Sequence, residues 1–168
     1  MEKTRASSFH QGIKPEPGDY GGQKSEPGMK LFFDTSALVK RYFNEPGSDD
    51  VMSLCAVAGD VAVSAVLPVE IISTLTRLRR ERRLDSILFN QIKNAFYSDL
   101  ADMTVILLSP QVISHAVAAV ETMPLKALDA LHIGCALEYK PDLFVSGDTQ
   151  QLFAAKNAGL QVKQLAME

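Results

Sequence analysis

An α/β domain, a parallel sheet of about five strands covered by helices on both faces, is predicted by three observations. From Met29 onward, short β-rich runs alternate with helical stretches, the pattern of βαβ units. Three acids, Asp34, Glu70 and Asp148, each follow an apolar run, and a parallel sheet gathers such positions at one edge. The chain has 168 residues, 46% apolar and 22% charged, enough for one domain with a sizeable core and nothing to suggest a second.

In chain order, residues 1–28 come first, with Lys14-Pro15-Glu16-Pro17-Gly18, Tyr20-Gly21-Gly22 and Glu26-Pro27-Gly28 and no period of either kind. This reads as a disordered extension, with Met29 a candidate natural start. A strand is expected near 30–33 (Leu31-Phe32-Phe33), then helices near 36–43 and 48–57 and a strand near 61–64. Pro68 suits a first helical position and opens a helix over 68–82, whose apolar side is Ile71, Ile72, Leu75 and Leu78. A second helix over 85–101 follows at once, so the pair reads as an αα-hairpin joined at Leu84-Asp85. Its positions Ile87, Leu88 and Phe96 are candidates for a dimer or partner groove, or for core. The remaining expectations are a strand near 104–108, helices near 110–121 and 126–138, a strand near 143–145, a helix near 149–157 and a strand near 161–164.

Each acid has a structural explanation as well as a chemical one. Asp34 can cap the helix after the first strand, and Asp148-Thr149-Gln150-Gln151 has capping-box spacing. Glu70, in a first turn, suits the positive end of the helix dipole, but it shares the polar side with Ser73, Thr74 and Arg77 and so looks outward into a groove. Asp129 is the hardest to explain structurally, because it lies within the apolar segment Leu125 to Leu137, where an unpaired buried acid costs several kcal/mol. It needs a cation or a partner, and His132, one turn on, is a candidate for that partner or for a metal ligand, a structural hydrogen bond being the more common role of a single His beside a carboxylate. Strand ends and the first turns of the helices meet at one sheet edge, which brings the four acids together. Carboxylates about 5 Å apart repel by roughly 3 kcal/mol per pair at an effective dielectric of 20, so such a group is a cation site.

The run Phe33-Asp34-Thr35-Ser36-Ala37-Leu38-Val39-Lys40-Arg41-Tyr42, then Glu70, then Leu128-Asp129-Ala130-Leu131-His132, then Val145-Ser146-Gly147-Asp148, resembles the PIN-domain ribonucleases. Within them it is most similar to the VapC-type toxins of toxin–antitoxin pairs, over Met29 to about Leu165. The resemblance implies a three-layer α/β/α fold and an acidic site of Asp34, Glu70, Asp129 and Asp148 holding one or two Mg²⁺ or Mn²⁺ ions. It implies metal-dependent hydrolysis of single-stranded or loop RNA to 5′-phosphate products, with Ser36 and Ser146 orienting carboxylates or water. The partners it implies are RNA, a cognate antitoxin and a second copy of the chain.

A net charge of −3 argues against broad electrostatic capture of nucleic acid, so a local basic face has to supply it. The candidates are the run Arg77-Leu78-Arg79-Arg80-Glu81-Arg82-Arg83, above all Arg77, two turns from Glu70, and Arg80, with Lys40 and Arg41 extending the path. The plainer reading is a solvated helix end complementing its dipole. No apolar run approaches the roughly 18 to 20 residues of a membrane span, the N-terminus lacks signal-peptide order, and Cys55 and Cys135 read as reduced core thiols, so a cytoplasmic protein is expected. Competing readings are a PIN-like module that processes RNA outside a toxin pair or binds RNA or protein without cutting, a phosphoacceptor receiver domain and an aspartyl phosphatase. A receiver would want an acidic pair after the first strand, where Asp34-Thr35 stands, and the phosphatase would want Asp-x-Asp, where Ser36 takes the second place.

Overall fold

The computed structural model describes residues 28–166, so the expected extension, apart from Gly28, lies outside the described residues. The elements are β1 (Met29–Phe33), α1 (Thr35–Leu38) with a 3-10 turn (Val39–Tyr42), α2 (Ser48–Val57), β2 (Ala58–Ser64), α3 (Leu67–Arg80), α4 (Ser86–Ala101), β3 (Thr104–Ile106), α5 (Pro110–Thr122), α6 (Ala127–Tyr139), β4 (Leu143–Ser146), α7 (Thr149–Asn157) and β5 (Val162–Gln164). All pairings are parallel, in the order β3-β2-β1-β4-β5.

Alternation along β1 builds the three layers. Leu31 and Phe33 enter one core with residues of α1 to α4, while Phe32 enters the other with residues of α5 to α7, and all three are fully buried. Val63 and Val145 continue the first core; Ala62 and Phe144 continue the second, where Phe32 and Phe144 stack at 5.7 Å. The chain leaves β1 toward β2 on one side and reaches β4 on the other, so strand order reverses beside β1. The crevice at the carboxyl ends of β1 and β4 is the place where such sheets bind ligands.

Local chemistry explains several boundaries. The helix expected over 36–43 breaks after Leu38 into the 3-10 turn, which carries Arg41 and Tyr42 inward to a buried Asp99 on α4. Arg41 Nε and Nη2 donate to the two Asp99 oxygens at 2.6 and 3.2 Å, and Tyr42 Oη donates at 2.8 Å. β2 starts at Ala58, earlier than its apolar run, because Ala58 and Asp60 pair with Met29 and Lys30. β3 stops at Ile106, since Leu107 and Leu108 project into solvent before the Ser109 cap of α5. Between α3 and α4 the turn passes through Arg82 with φ at 56°, and Asp85 caps α4 by accepting from Leu88 N at 2.8 Å. On the other face Gly134 lets α6 press on α5: a Cβ there would stand 2.5 Å from the Val112 carbonyl oxygen. Cys55 and Cys135 are buried and free.

Candidate active site

Asp34 stands where β1 ends, its own N–H donating to Val145 O of β4 at 3.2 Å. Its side chain caps α1 by accepting from Ala37 N at 2.8 Å. Ser36 Oγ donates to the same carboxylate at 2.8–2.9 Å, and Ser146 Oγ, from the end of β4, donates at 2.6 Å. Both candidate serines therefore act on Asp34, and Ser36 also accepts from Gly147 N at 2.9 Å, tying the two strand ends together. Burial raises the Asp34 carboxyl above its ordinary value, against the opposing pull of Ser146, His132, Ala37 and Ser36.

Glu70 sits in the first turn of α3, half-buried, and two donors meet on one of its oxygens. Thr35 Oγ1 donates to Oε2 at 2.5 Å, and His132 Nε2 donates to the same oxygen at 2.6 Å. Burial alone would raise this carboxyl, but the His132 and Thr35 hydrogen bonds and the His132 charge outweigh it, so Glu70 lies below the ordinary carboxylate value. His132 is thus the partner of Glu70 rather than of Asp129, which corrects the reading from helical spacing: the ring crosses from α6 to α3 instead of staying on its own helix. Nothing in the sequence singles out Thr35, because a hydroxyl at a helix start is ordinary there.

Asp129 and Asp148 complete the group. Asp148 caps α7, Oδ1 accepting from Gln150 N at 2.8 Å and Gln151 N at 3.0 Å. Gln151 in turn reaches α6, its Nε2 donating to Asp129 O at 3.2 Å. Burial raises the Asp129 carboxyl, and Asp148 and Glu70 raise it further, against His132 and Lys126. The charges of Asp148 and Glu70 thus act on Asp129 in the same direction as its burial. Among the described residues, Lys126 is the lysine whose charge opposes the rise of Asp129.

As the side chains stand, no three His, Cys, Asp or Glu groups among the described residues close on a common ion position. The donor set nevertheless fits a hard divalent cation. Glu70 Oε1, Asp148 Oδ2 and both Asp129 oxygens accept no hydrogen bond from the described residues, whereas the Asp34 oxygens are held by a hydroxyl shell. Oxygen-only ligands in a region short of positive charge suit Mg²⁺ or Mn²⁺.

The basic candidates divide. Lys40 and Arg41 are 5% and 7% exposed, Lys40 donating to Pro46 O at 2.9 Å and Arg41 held by Asp99, so neither lies on a surface path for RNA. The 3-10 turn, in place of a continued helix, is what turns them in. Arg77 and Arg80 are exposed, Arg77 lying 3.4 Å from Glu81 one turn on. Arg79, Arg82 and Arg83 instead line an open cavity of about 660 Å³ at the α3–α4 turn, with Arg79 packed 4.2 Å over the Phe89 ring. Of the apolar hairpin positions, Phe96 is fully buried, Leu88 is partly buried and packed on the core, and Ile87 is 73% exposed. A row of exposed apolar side chains lies on α5 instead, at Ile113, Val117 and Val120. No helix among the described residues is long and apolar enough to cross a membrane.

A family model, that of the PIN domain, matches residues 31–157, which span all four acids. Among solved structures, VapBC2 from Rickettsia felis bound to a promoter DNA fragment is similar with a TM-score of 0.60 at 12% identity, over 82% of this chain and 100% of that one. VapC20 from Mycobacterium tuberculosis, described as a Sarcin-Ricin loop cleaving toxin, is similar with a TM-score of 0.58 at 15% identity, over 77% and 95%. A toxin–antitoxin complex from Klebsiella pneumoniae gives 0.54 at 16% identity, over 73% and 89%. No curated protein sequence matches this chain.

Proposed function

The chain belongs to the PIN-domain family, and on that premise we propose that it is a divalent-metal-dependent endoribonuclease acting on single-stranded or loop RNA, and the toxin of a toxin–antitoxin pair. The observation that carries the reading is the acid group at the strand-order switch: Asp34 held by hydroxyls, with Glu70, Asp129 and Asp148 each presenting oxygen that accepts no hydrogen bond from the described residues. Bound there, Mg²⁺ or Mn²⁺, as one ion or two, would supply a water of lowered pKa and stabilise charge on the leaving oxygen.

This chain's own residues would do the rest. Ser36 and Ser146 fix the Asp34 carboxylate, the α7 cap occupies one Asp148 oxygen and leaves the other without a hydrogen bond from the described residues, and Glu70 is held through one oxygen only. None of these steps uses a histidine as nucleophile or a substrate 2′-hydroxyl; water attacking phosphorus while the P–O3′ bond breaks and the 3′-oxygen leaves would give 5′-phosphate and 3′-hydroxyl ends. An antitoxin, and a second copy of this chain, are the protein partners the reading includes; the likeness to toxin–antitoxin complexes supports the first.

Purified protein, incubated with single-stranded and hairpin RNA, is expected to cut only with Mg²⁺ or Mn²⁺ present, and chelation is expected to abolish cutting. Asp34→Asn, Glu70→Gln, Asp129→Asn and Asp148→Asn should each cost about a hundredfold or more. A ligase requiring 5′-phosphate reads the ends. Cutting that survives chelation, or 2′,3′-cyclic phosphate ends, would overturn the metal-ion mechanism; binding of RNA without any cutting would favour a non-catalytic PIN-like module.

A further inference from the structure

We propose that His132 and Thr35 are the positioning residues of Glu70, clamping one carboxylate oxygen so that the other faces the acid group, and that this clamp sets the protein's affinity for its divalent ion. The inference rests on the metal-nuclease reading of the same site.

Glu70 differs from the aspartates beside it. Asp34 and Asp148 are aimed by backbone N–H groups of the helices they cap, a constraint built into the local chain. A glutamate inside a helix has no such cap and carries a longer, more freely rotating side chain, so something outside α3 has to hold it. Thr35 and His132 do so from two directions. Thr35 follows Asp34 on α1, and His132 lies one turn beyond Asp129 on α6, so Glu70 is tied to the elements that carry two of the other acids.

Both donors converge on Oε2, leaving Oε1 without a hydrogen bond from the described residues. The hydroxyl has one hydrogen, given to Glu70; its 3.3 Å approach to His132 Nε2 therefore makes Thr35 an acceptor there, and it steadies the ring. The hydrogen must be on Nε2 whichever charge the ring carries. His132 is 2% exposed, and Nδ1 is buried with no hydrogen-bond partner among the described residues. A histidine kept only to knit the fold would use both nitrogens. Here every hydrogen bond the ring makes runs through Nε2 to Glu70 and Thr35.

The experiment compares two deletions with two conservative replacements. His132→Phe keeps an aromatic ring, somewhat larger, and removes the donor, whereas His132→Gln carries an amide nitrogen that can reach the place of Nε2. Thr35→Val removes the hydroxyl and Thr35→Ser keeps it. Mn²⁺ binding to the RNA-free protein is measured by titration calorimetry, next to the Mn²⁺ dependence of RNA cleavage and the metal-free melting temperature. His132→Phe and Thr35→Val should weaken Mn²⁺ binding by about tenfold or more, with cleavage largely restored at saturating Mn²⁺; His132→Gln and Thr35→Ser should stay within about threefold of the parent. In a Glu70→Gln background His132→Phe should add little, because the two act through one group.

Should His132→Phe fail to fold, Thr35→Val and Thr35→Ser, at a half-buried position, carry the test by themselves. Folded deletion variants that bind Mn²⁺ as the parent does would overturn the clamp and leave the metal reading intact. His132→Gln as weak as His132→Phe would overturn the role of the donor. A parent protein that binds neither Mn²⁺ nor Mg²⁺ would overturn the metal reading and the clamp with it.

Discussion

Asp34 and Asp129 are both carboxyls raised by burial, yet they sit in different surroundings. Asp34 is surrounded by donors, so an amide there keeps the cap on Ala37 but forces the Ser146 hydroxyl to turn. Asp129 has no such shell and faces Asp148 and Glu70. A carboxyl raised in the folded state holds its proton to higher pH than in the unfolded chain; its contribution to stability is full below the ordinary carboxylate range and is lost as pH rises through the folded value. Glu70, lowered, acts in the opposite sense, adding stability above the ordinary value that is lost on acidification. In chelator, Asp129→Asn is therefore expected to melt at or above the parent at pH 8, with the difference shrinking toward about pH 4, the unperturbed carboxylate value. The same variant should lose most of the gain from added metal, which for the parent is about 2.7 kcal/mol at a hundredfold excess over the dissociation constant. Calorimetric scans across pH check both, and an unchanged pH slope would remove Asp129 from the repelling group. Asp129 was legible in the sequence because an acid inside an apolar helix demands a partner. Thr35 was not, and His132 was read against the wrong acid, because helical spacing reports neighbours on one helix and says nothing of what crosses from α6 to α3.

At the scale of elements, the break after Leu38 separates what the sequence discloses from what it hides. An apolar strand followed by Asp34 marks the start of α1, since an N-cap is a local signal. That the next turn is 3-10, and that Arg41 and Tyr42 point inward, depends on Asp99, 58 residues away, and no local pattern contains it. The hairpin shows the same division: its apolar period was readable, but Phe96 is core because the Tyr42 ring meets it edge-on at 6.0 Å. The buried Arg41–Asp99 pair links the site-bearing segment after β1 to α4, and removing one partner leaves the other charge in the core. Asp99→Ala is expected to lower stability by about 3 to 5 kcal/mol, the loss of the buried ion pair together with the Tyr42 hydrogen bond being the dominant cost. Urea unfolding reads it as a lower midpoint with the slope kept. A loss within about 0.5 kcal/mol, the range of ordinary surface changes, would show that Arg41 finds water or another acceptor.

For the whole molecule, alternation of strands and helices was visible in the sequence, but strand order was not, because parallel neighbours are chosen by contacts distant in sequence. The order β3-β2-β1-β4-β5 is what sets Asp34 and Asp148 side by side at the reversal, with Glu70 and Asp129 reaching the same edge from helix starts on opposite layers. It leaves an acidic site on a chain of net charge −3, so an RNA backbone needs attraction from elsewhere on the surface. With Lys40 and Arg41 buried, the basic candidates that remain are on α3, where Arg77 stands seven residues beyond Glu70, a rise of about 10 Å, and exposed Arg80 one turn further. Arg77 lies 3.4 Å from Glu81, both well exposed, a surface pair too weak to hold it from a phosphate. Each phosphate contact to single-stranded RNA releases counterions, and the logarithm of the binding constant falls with that of salt by about 0.7 per contact. Arg77→Ala is expected to weaken RNA binding and flatten this slope by about that amount, and Arg77→Ala with Arg80→Ala by about twice it. Cleavage of bound RNA at saturating Mn²⁺ should change little, since a phosphate contact this far along α3 positions the strand without touching the reacting bond. Equilibrium binding measured in chelator from about 50 to 200 mM salt separates the two possibilities, the range over which such contacts register most. A slope unchanged in both variants would return these arginines to the role of a solvated helix end and require the RNA path to run over another face.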